Sequence, residues 1–462
     1  MRKIVLIDAH AECVDALLNY NDIVIQMLVV TTKEQKKLYQ GNEKIKEIYT
    51  HAEISNFTEV NSLQFDVVEK MKNVQLKVES CLDRFLLDYQ EKKKIYYTAL
   101  NFWVSFFDSH EINAVIISGV NHGMPYDGIP YGIAQIRKDV YLYTIDVIVY
   151  SKRAICNHTR NQFIKIMKGD DNNERKIDVA YSMAYHEITS KIWNKSNAIT
   201  RLLCKALYKI GGFLALEFIY DVYKGNFNLR DEGGNGIYYN YFDKLKSYRN
   251  MKRIRKALKK MEQPYSFHGE KFVFYAMHFE PEGGILARTS MESQWVLIKM
   301  IQASLPEGWV LYVKEHPHQF ILNNWKMEYY INNIDYFKSK RFYDEINKLD
   351  KVFLINSAVS SQILLKDAVA IATMNGTIML EAVEYNKPVL LLASNTVPLQ
   401  MCDDYFKIKS QSDCKEALMM IQQGFRPKYE DVSDKMYDYL ETDDKKGFAN
   451  MVKSIVEDMK TV

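Results

Sequence analysis

Two short polar clusters carry groups suited to a nucleotide. Lys314, Glu315, His316 and Pro317 follow the apolar run Trp309–Val313, and Thr373, Asn375, Gly376 and Thr377 follow Ala368–Ala372, with Glu381 shortly after. Each cluster falls at the carboxyl end of a predicted buried strand, where open α/β sheets bind ligands. The second cluster leads into a predicted helix, so free backbone N–H groups at the helix start would face an anion. Gly376 permits close backbone approach and Thr377 adds a hydroxyl donor. Glu381 lies four positions after Thr377, one helical turn, so both share a face and the carboxylate can accept bonds from a ribose diol. Lys314 and His316 would meet the phosphate from the neighbouring strand end. The plainer alternative makes Thr377 an N-cap and Glu381 a solvated helix carboxylate.

A third cluster suits acid–base work. Ile116–Val120 ends a predicted strand and opens a loop carrying His122 and Asp127, ahead of a helical stretch from Ile129 to Ile136. Asp127 is the candidate acidic catalyst, with capping of the next helix as its structural alternative. Asp8 and His10, at the end of the first predicted strand, are secondary candidates. No Asp-x-Asp pair occurs, so a metal-dependent reading lacks its usual ligands.

The elements that must position these groups alternate between strand and helix, which argues for an α/β fold with parallel sheets covered on both faces. Predicted strands are Lys3–Ile7, Asp22–Val30, Ala114–Ser118 and Val140–Val149 in the first half, with a long helical stretch over Asn61–Asp108. In the second half they are Phe272–Met277, Trp309–Val313, Val352–Ile355, Ala368–Ala372 and Val389–Leu392. A last helix is expected over Glu430–Met459. The loop Asp231–Gly236 has no strand before it and reads as a turn or mobile acceptor loop, not a dinucleotide fingerprint.

With 462 residues and 47% hydrophobic content the chain can form two cores. Nine prolines and nineteen glycines are too few for a disordered or fibrous protein. Cys13, Cys81, Cys156, Cys204, Cys402 and Cys414 include no CxxC pair, which points away from zinc and disulfide frameworks and toward reducing cytosol. No apolar run reaches the roughly 18 residues of a membrane span, and no signal-peptide core is evident.

From Lys244 to Lys260 there are nine Lys or Arg residues and no acid, while Leu245, Tyr248, Met251, Ile254 and Leu258 recur at helical spacing. This basic amphipathic helix has two readings: attachment to anionic lipid at the inner membrane face, or a connector packing its apolar stripe on the first domain. A net charge of +3 and the lack of a recognised module argue against nucleic acid.

His278–Glu282, Ser293-Gln294, Leu305–Gly308, Tyr312–Pro317, Arg341–Tyr343, Asn356-Ser357, Asn375–Thr377, Glu381-Ala382 and Lys387-Pro388 together resemble the donor half of the capsule polysaccharide biosynthesis family, which includes bacterial Kdo transferases of the GT-B type. The resemblance is dense over about residues 270–395 and sparse before Leu100. One departure is Glu280-Pro281-Glu282, where relatives commonly show Gln-Pro-Glu. The loop with His122 and Asp127 is similar to a family loop preceding a Tyr-x-Ile-Ala helix, here Tyr131-Gly132-Ile133-Ala134.

The resemblance implies a GT-B fold of two Rossmann-like domains with a cleft between them. Its expected parts are an acceptor-side domain over 1–243, a basic interdomain helix over 244–264, a donor domain over 265–428, and a C-terminal helix over 429–462 returning to the first domain. It implies a CMP-sugar donor held by Lys314, His316, Pro317, Ser357, Thr373, Asn375, Gly376, Thr377, Glu381, Glu280 and Glu282. Transfer of Kdo or a related ulosonic acid to a surface glycan or glycolipid would follow, without a metal or other cofactor. Two alternatives stand beside it: a GT-B transferase or epimerase using a UDP-sugar, and a non-catalytic nucleotide-sugar-binding assembly protein.

Overall fold

A computed structural model describes residues 1–8, 10–61, 63–118, 123–148, 153–158, 162–166, 237, 241–287, 289–316, 319–320, 333–374, 376–392, 404–429, 438–442 and 444–461. Two compact units emerge. The first takes in the described residues of Met1–Asp178, Asn228–Tyr239 and Met436–Val462, and the second those of Val179–Phe227 and Asn240–Lys435.

In the first unit, strands β1 (Arg2–Ile7), β2 (Ile23–Val30), β3 (Ile45–Thr50), β4 (Ala114–Ser118), β5 (Tyr141–Ile148), β6 (Arg153–His158) and β7 (Gln162–Phe163) share a sheet with Leu440–Thr442. The order β3-β2-β1-β4-β5 is parallel throughout, and β6 then runs antiparallel to β5. Ile4–Ile7 and Ala114–Ile117 are fully buried, as a strand covered on both faces requires. Helix Lys445–Thr461 packs Met451, Val452, Ile455 and Val456 into the same core as Ile4, Leu6 and Val14. The Tyr143 hydroxyl donates to Asp458 at 2.8 Å.

The predicted helical stretch over Asn61–Asp108 is divided into Phe65–Lys70, Lys72–Leu82 and Tyr89–Ser109. Asp88 forms a capping box with Glu91, which starts the last of these afresh. The expected C-terminal helix starts later than predicted, because Leu440–Thr442 pairs with β6 as an antiparallel strand. Residues 430–437 and the loop Asp231–Gly236 lie outside the described residues.

The second unit holds β8 (Lys271–Ala276), β9 (Trp309–Lys314), β10 (Val352–Ile355), β11 (Ala370–Thr373), β12 (Val389–Leu392) and β13 (Phe406–Ile408), in the all-parallel order β10-β9-β8-β11-β12-β13. That is the doubly wound Rossmann order, and the chain reverses direction across the sheet between β8 and β11. Loops after these two strands, with the loop after β9 beside them, therefore form the crevice where such sheets bind ligands. The fold class read from the sequence, α/β with two Rossmann-like parallel sheets, is the one observed.

Helix Tyr241–Met261 belongs to this second unit. Met251, Ile254 and Leu258 are 3%, 0% and 2% exposed and pack among Val273, Leu311, Val313 and Leu354. This part of the apolar stripe is thus used by the second unit's core, which corrects the expectation that it packs on the first. An in-plane membrane helix needs its apolar stripe against the acyl boundary, and these three residues are not available for that.

Candidate nucleotide site

At the end of β9, Lys314 is 4% exposed and its ammonium donates to the Ser361 hydroxyl at 2.9 Å. Burial pulls its pKa down to about 8, with Glu381 opposing that fall. Glu381 lies on helix Ile378–Glu384, is 7% exposed, and is pushed by burial up to about 7, with Lys314 opposing that rise. Each charge is disfavoured by desolvation and partly restored by the other. Among the described residues no protein donor hydrogen-bonds the Glu381 carboxylate. A buried carboxylate with unused acceptor capacity, at the ligand end of a Rossmann sheet, suits an incoming diol.

The turn before that helix is built for close approach. Thr373, 1% exposed, accepts the Gly376 N–H on its hydroxyl at 3.2 Å. A Cβ at Gly376 would lie 2.8 Å from that hydroxyl oxygen, so any larger residue deforms the turn. Thr377 occupies the N-cap position but makes no side-chain capping bond, so the plainer capping role is not what its hydroxyl does.

Glu315 faces inward and organises the loops. Its carboxylate accepts from the Lys338 ammonium at 2.8 Å, the Tyr343 hydroxyl at 2.5 Å and the His316 N–H at 2.6 Å. Lys338, 0% exposed, also donates to the His278 carbonyl at 2.7 Å and to Gln319 at 3.1 Å, and lies 3.8 Å from Glu280. One buried ammonium therefore ties the loops after β8 and β9 together. Sequence reading did not find Lys338, because its role depends on carbonyls and carboxylates brought in from distant positions. The nearest signal was Arg341–Tyr343, whose Tyr343 meets the same carboxylate.

Glu280 is 5% exposed and burial pushes its carboxyl up to about 7 against the pull of Lys338. Its N–H donates to Gln319 at 2.9 Å, and Gln319 donates back to its carbonyl. Glu282 instead pairs with the His278 imidazole at 2.6 Å. The two carboxylates of the Glu-Pro-Glu departure therefore have different surroundings, one buried beside an ammonium and one half-exposed beside a histidine.

His316 and Ser357 are brought together in one cavity, also lined by Arg255, Leu258, Lys259, Glu262 and Phe320. Glu262 accepts the Ser357 N–H at 3.1 Å, and His316 packs edge-on to Phe279. Arg255, Lys259 and Glu262 come from the end of the basic helix and the residue after it, and sequence reading had not placed them at this site. Pro317 and Asn375 lie outside the described residues.

In the first unit the reversal of strand order falls between β1 and β4, and their ends hold a second polar group. Asp8 adopts φ +51°, accepts from the Thr31 hydroxyl at 3.2 Å and lies 3.7 Å from His51 Nε2. His51 is stacked on Tyr126, with ring centroids 3.6 Å apart. The His10 N–H donates to the Ser118 hydroxyl at 3.4 Å. Asp127 is 0% exposed and accepts the Met124 N–H at 2.7 Å within its own turn, making no capping bond to the following helix. His122 lies outside the described residues.

Among the described residues no group of three or more His, Cys, Asp and Glu side chains is placed to hold a metal ion, and no helix is long and apolar enough to cross a membrane.

No family model matches the chain, and no curated protein matches it. Solved structures similar to it include KpsC, the beta Kdo 2,7 transferase of Thermosulfurimonas dismutans, at 8% identity and TM-score 0.33, covering 94% of this chain and 98% of that one. S. aureus MnaA with UDP aligns at 13% identity and TM-score 0.27, covering 100% and 98%. The UDP-GlcNAc 2-epimerase of Neisseria meningitidis bound to UDP-GlcNAc aligns at 12% identity and TM-score 0.26, covering both chains fully at 100%. The fold assignment made above rests on the strand order and pairing of the two sheets themselves.

Proposed function

We propose that this chain is a GT-B glycosyltransferase that moves Kdo or a related ulosonic acid from a CMP-sugar to a glycan or glycolipid acceptor, acting in the cytoplasm. The observation that carries the nucleotide part is Glu381: a buried carboxylate with no protein donor among the described residues, electrostatically coupled to Lys314, on the helix that follows the Thr373–Thr377 turn. In this reading Glu381 accepts the ribose hydroxyls, while Lys314, His316, Gly376 and Thr377 surround the phosphate. Thr373 shapes the turn, and Glu280 and Glu282 border the donor from the loop after β8. Of the two candidate acids of the first unit, Asp8 has the accessible side chain, 21% exposed where Asp127 is 0% exposed, and takes the direct role toward the sugar. Asp127 positions its loop.

Hydrogen bonds to a charged group contribute about 1.5 to 3 kcal/mol, so Glu381→Ala should weaken CMP roughly ten- to a hundredfold by calorimetry. The ribose contact is strongest with an ionised acceptor, and burial pushes the Glu381 carboxyl up to about 7. Cytidine, which has the diol but no phosphate, should therefore bind less tightly as pH falls from 8 to 6 in the wild type and not in Glu381→Gln. Unchanged CMP affinity in a folded Glu381→Ala protein would remove the assignment.

Sugar transfer should persist in EDTA, because a monophosphate leaving group can be met by Lys314, His316 and backbone N–H groups. Abolition by EDTA with rescue by Mg²⁺ or Mn²⁺ would shift the reading to a metal-clamped diphosphate donor.

A further inference from the structure

Helix Tyr241–Met261 is strongly basic, yet Met251, Ile254 and Leu258 of its apolar stripe are consumed by the second unit's core. Its cations therefore call for another use. They divide by direction. Lys246, Arg249, Lys256 and Lys260 face solvent, and Arg253 reaches Asp335 at 3.7 Å. Arg255 and Lys259, one helical turn apart, line the cavity that also holds His316 and Ser357.

We infer that Arg255 and Lys259, with His316 and Ser357, form an oxyanion subsite that takes the phosphate of the bound nucleotide. This deepens the nucleotide-sugar reading given above and rests on it for the identity of the ligand. Two cations in the cavity face one carboxylate, Glu262, which accepts the Ser357 N–H at 3.1 Å, so cationic groups outnumber the anionic one in the lining. Arg255 is braced by donating to the Phe320 carbonyl at 3.3 Å, which holds the guanidinium at the cavity wall. Among the described residues the Lys259 ammonium has no hydrogen-bond or ion-pair partner. The imidazole of His316 adds a ring donor, and the Ser357 hydroxyl a neutral one. A planar fork, an ammonium and two further donors around one small space suit a tetrahedral or planar oxyanion. Phe320 and Leu258 make the remaining wall apolar.

The same chemistry would accept the carboxylate of a free ulosonic acid, so the test uses both sources. CMP, cytidine, free Kdo and inorganic phosphate are titrated by calorimetry into wild type, Lys259→Gln, Lys259→Arg and Arg255→Gln. Lys259 is exposed and unbonded, so its variants keep the fold; Arg255→Gln carries the added loss of the Phe320 contact. Lys259→Gln should weaken CMP about tenfold and leave cytidine within about twofold, while Lys259→Arg should keep most of the affinity. The salt dependence of CMP binding should be shallower in Lys259→Gln than in wild type. Loss confined to free Kdo, with CMP unchanged, would overturn the phosphate assignment in favour of the sugar carboxylate. Equal loss of CMP and cytidine would overturn the subsite, because a purely structural role acts on both. Unaltered binding of every probe in both Gln variants would overturn it too. If the wild type binds neither CMP nor cytidine, the nucleotide reading fails separately. Inorganic phosphate then decides the subsite, supporting it if wild type binds and Lys259→Gln does not, and ending it otherwise.

Discussion

Asp8→Asn should lower sugar-transfer turnover by at least about a hundredfold while leaving CMP affinity within about twofold of wild type. Asp8 ends β1 at the reversal point of the first sheet and holds φ +51°, a left-handed backbone that costs a non-glycine residue about 1 kcal/mol or more. Asn tolerates that conformation as well as Asp does, so the substitution removes charge without adding strain. The Thr31 hydroxyl at 3.2 Å and the His51 imidazole at 3.7 Å orient the carboxylate, and His51 is itself fixed by stacking on Tyr126.

Asp127 supplies the contrast. Its carboxylate is 0% exposed and accepts the Met124 N–H, a bond that the amide oxygen of Asn can also accept. Asp127→Asn should therefore keep turnover within about tenfold, whereas Asp127→Ala, which leaves the Met124 N–H unmet, should lose more and melt earlier. Near-normal turnover in Asp8→Asn together with a hundredfold loss in Asp127→Asn would return the direct role to Asp127.

Lys338→Met should destabilise the second unit by about 3 to 5 kcal/mol, lowering its melting temperature by roughly 10 °C. Methionine fills much of the same volume, so the loss is electrical and not steric. Without the ammonium, Glu315 at 2% exposure and Glu280 at 5% lose the cation they share and remain buried. The deficit should depend on pH. Glu280 already has a folded pKa raised to about 7 from 4.5, so its folded state holds the extra proton between those values. The stability this confers is complete below the unfolded value and is lost as pH rises through about 7. Removing Lys338 raises that pKa further, so the variant should lie closest to wild type near pH 5 and farthest above pH 8. A melting difference that stays constant from pH 5 to 8, or a loss under about 1 kcal/mol, would exclude the buried ion cluster as the stabilising element.

The strands that build both sheets were legible because they are short apolar runs bounded by polar turns. Val352–Ile355 and Val389–Leu392 fall where predicted, and β8, β9 and β11 lie within two residues of their expected bounds. Strands β3, β6, β7 and β13 and the Leu440–Thr442 strand were missed. Ile45–Thr50 alternates weakly, with Lys46 and Glu47 inside it, and Phe406–Ile408 is three residues long and carries Lys407. Their pairing to β2 and β12 provides what local pattern does not.

What the sequence by itself determined is which positions could do chemistry: Lys314, His316, Thr373, Gly376, Thr377 and Glu381 are polar residues at the ends of apolar strands, and that contrast survives folding because strand burial sets it locally. Which of them share a site was decided only by tertiary structure. The order β9-β8-β11 places Lys314 near Glu381 across an intervening strand, and the pKa of each is set by that placement. The basic helix shows the same division. Its charge and apolar stripe are written in the sequence, but the stripe fits a core, a connector or a membrane equally well. Only the packing of Met251, Ile254 and Leu258 among β8, β9 and β10 turns Arg255 and Lys259 toward His316, because a helix with one face buried has the direction of its other faces fixed.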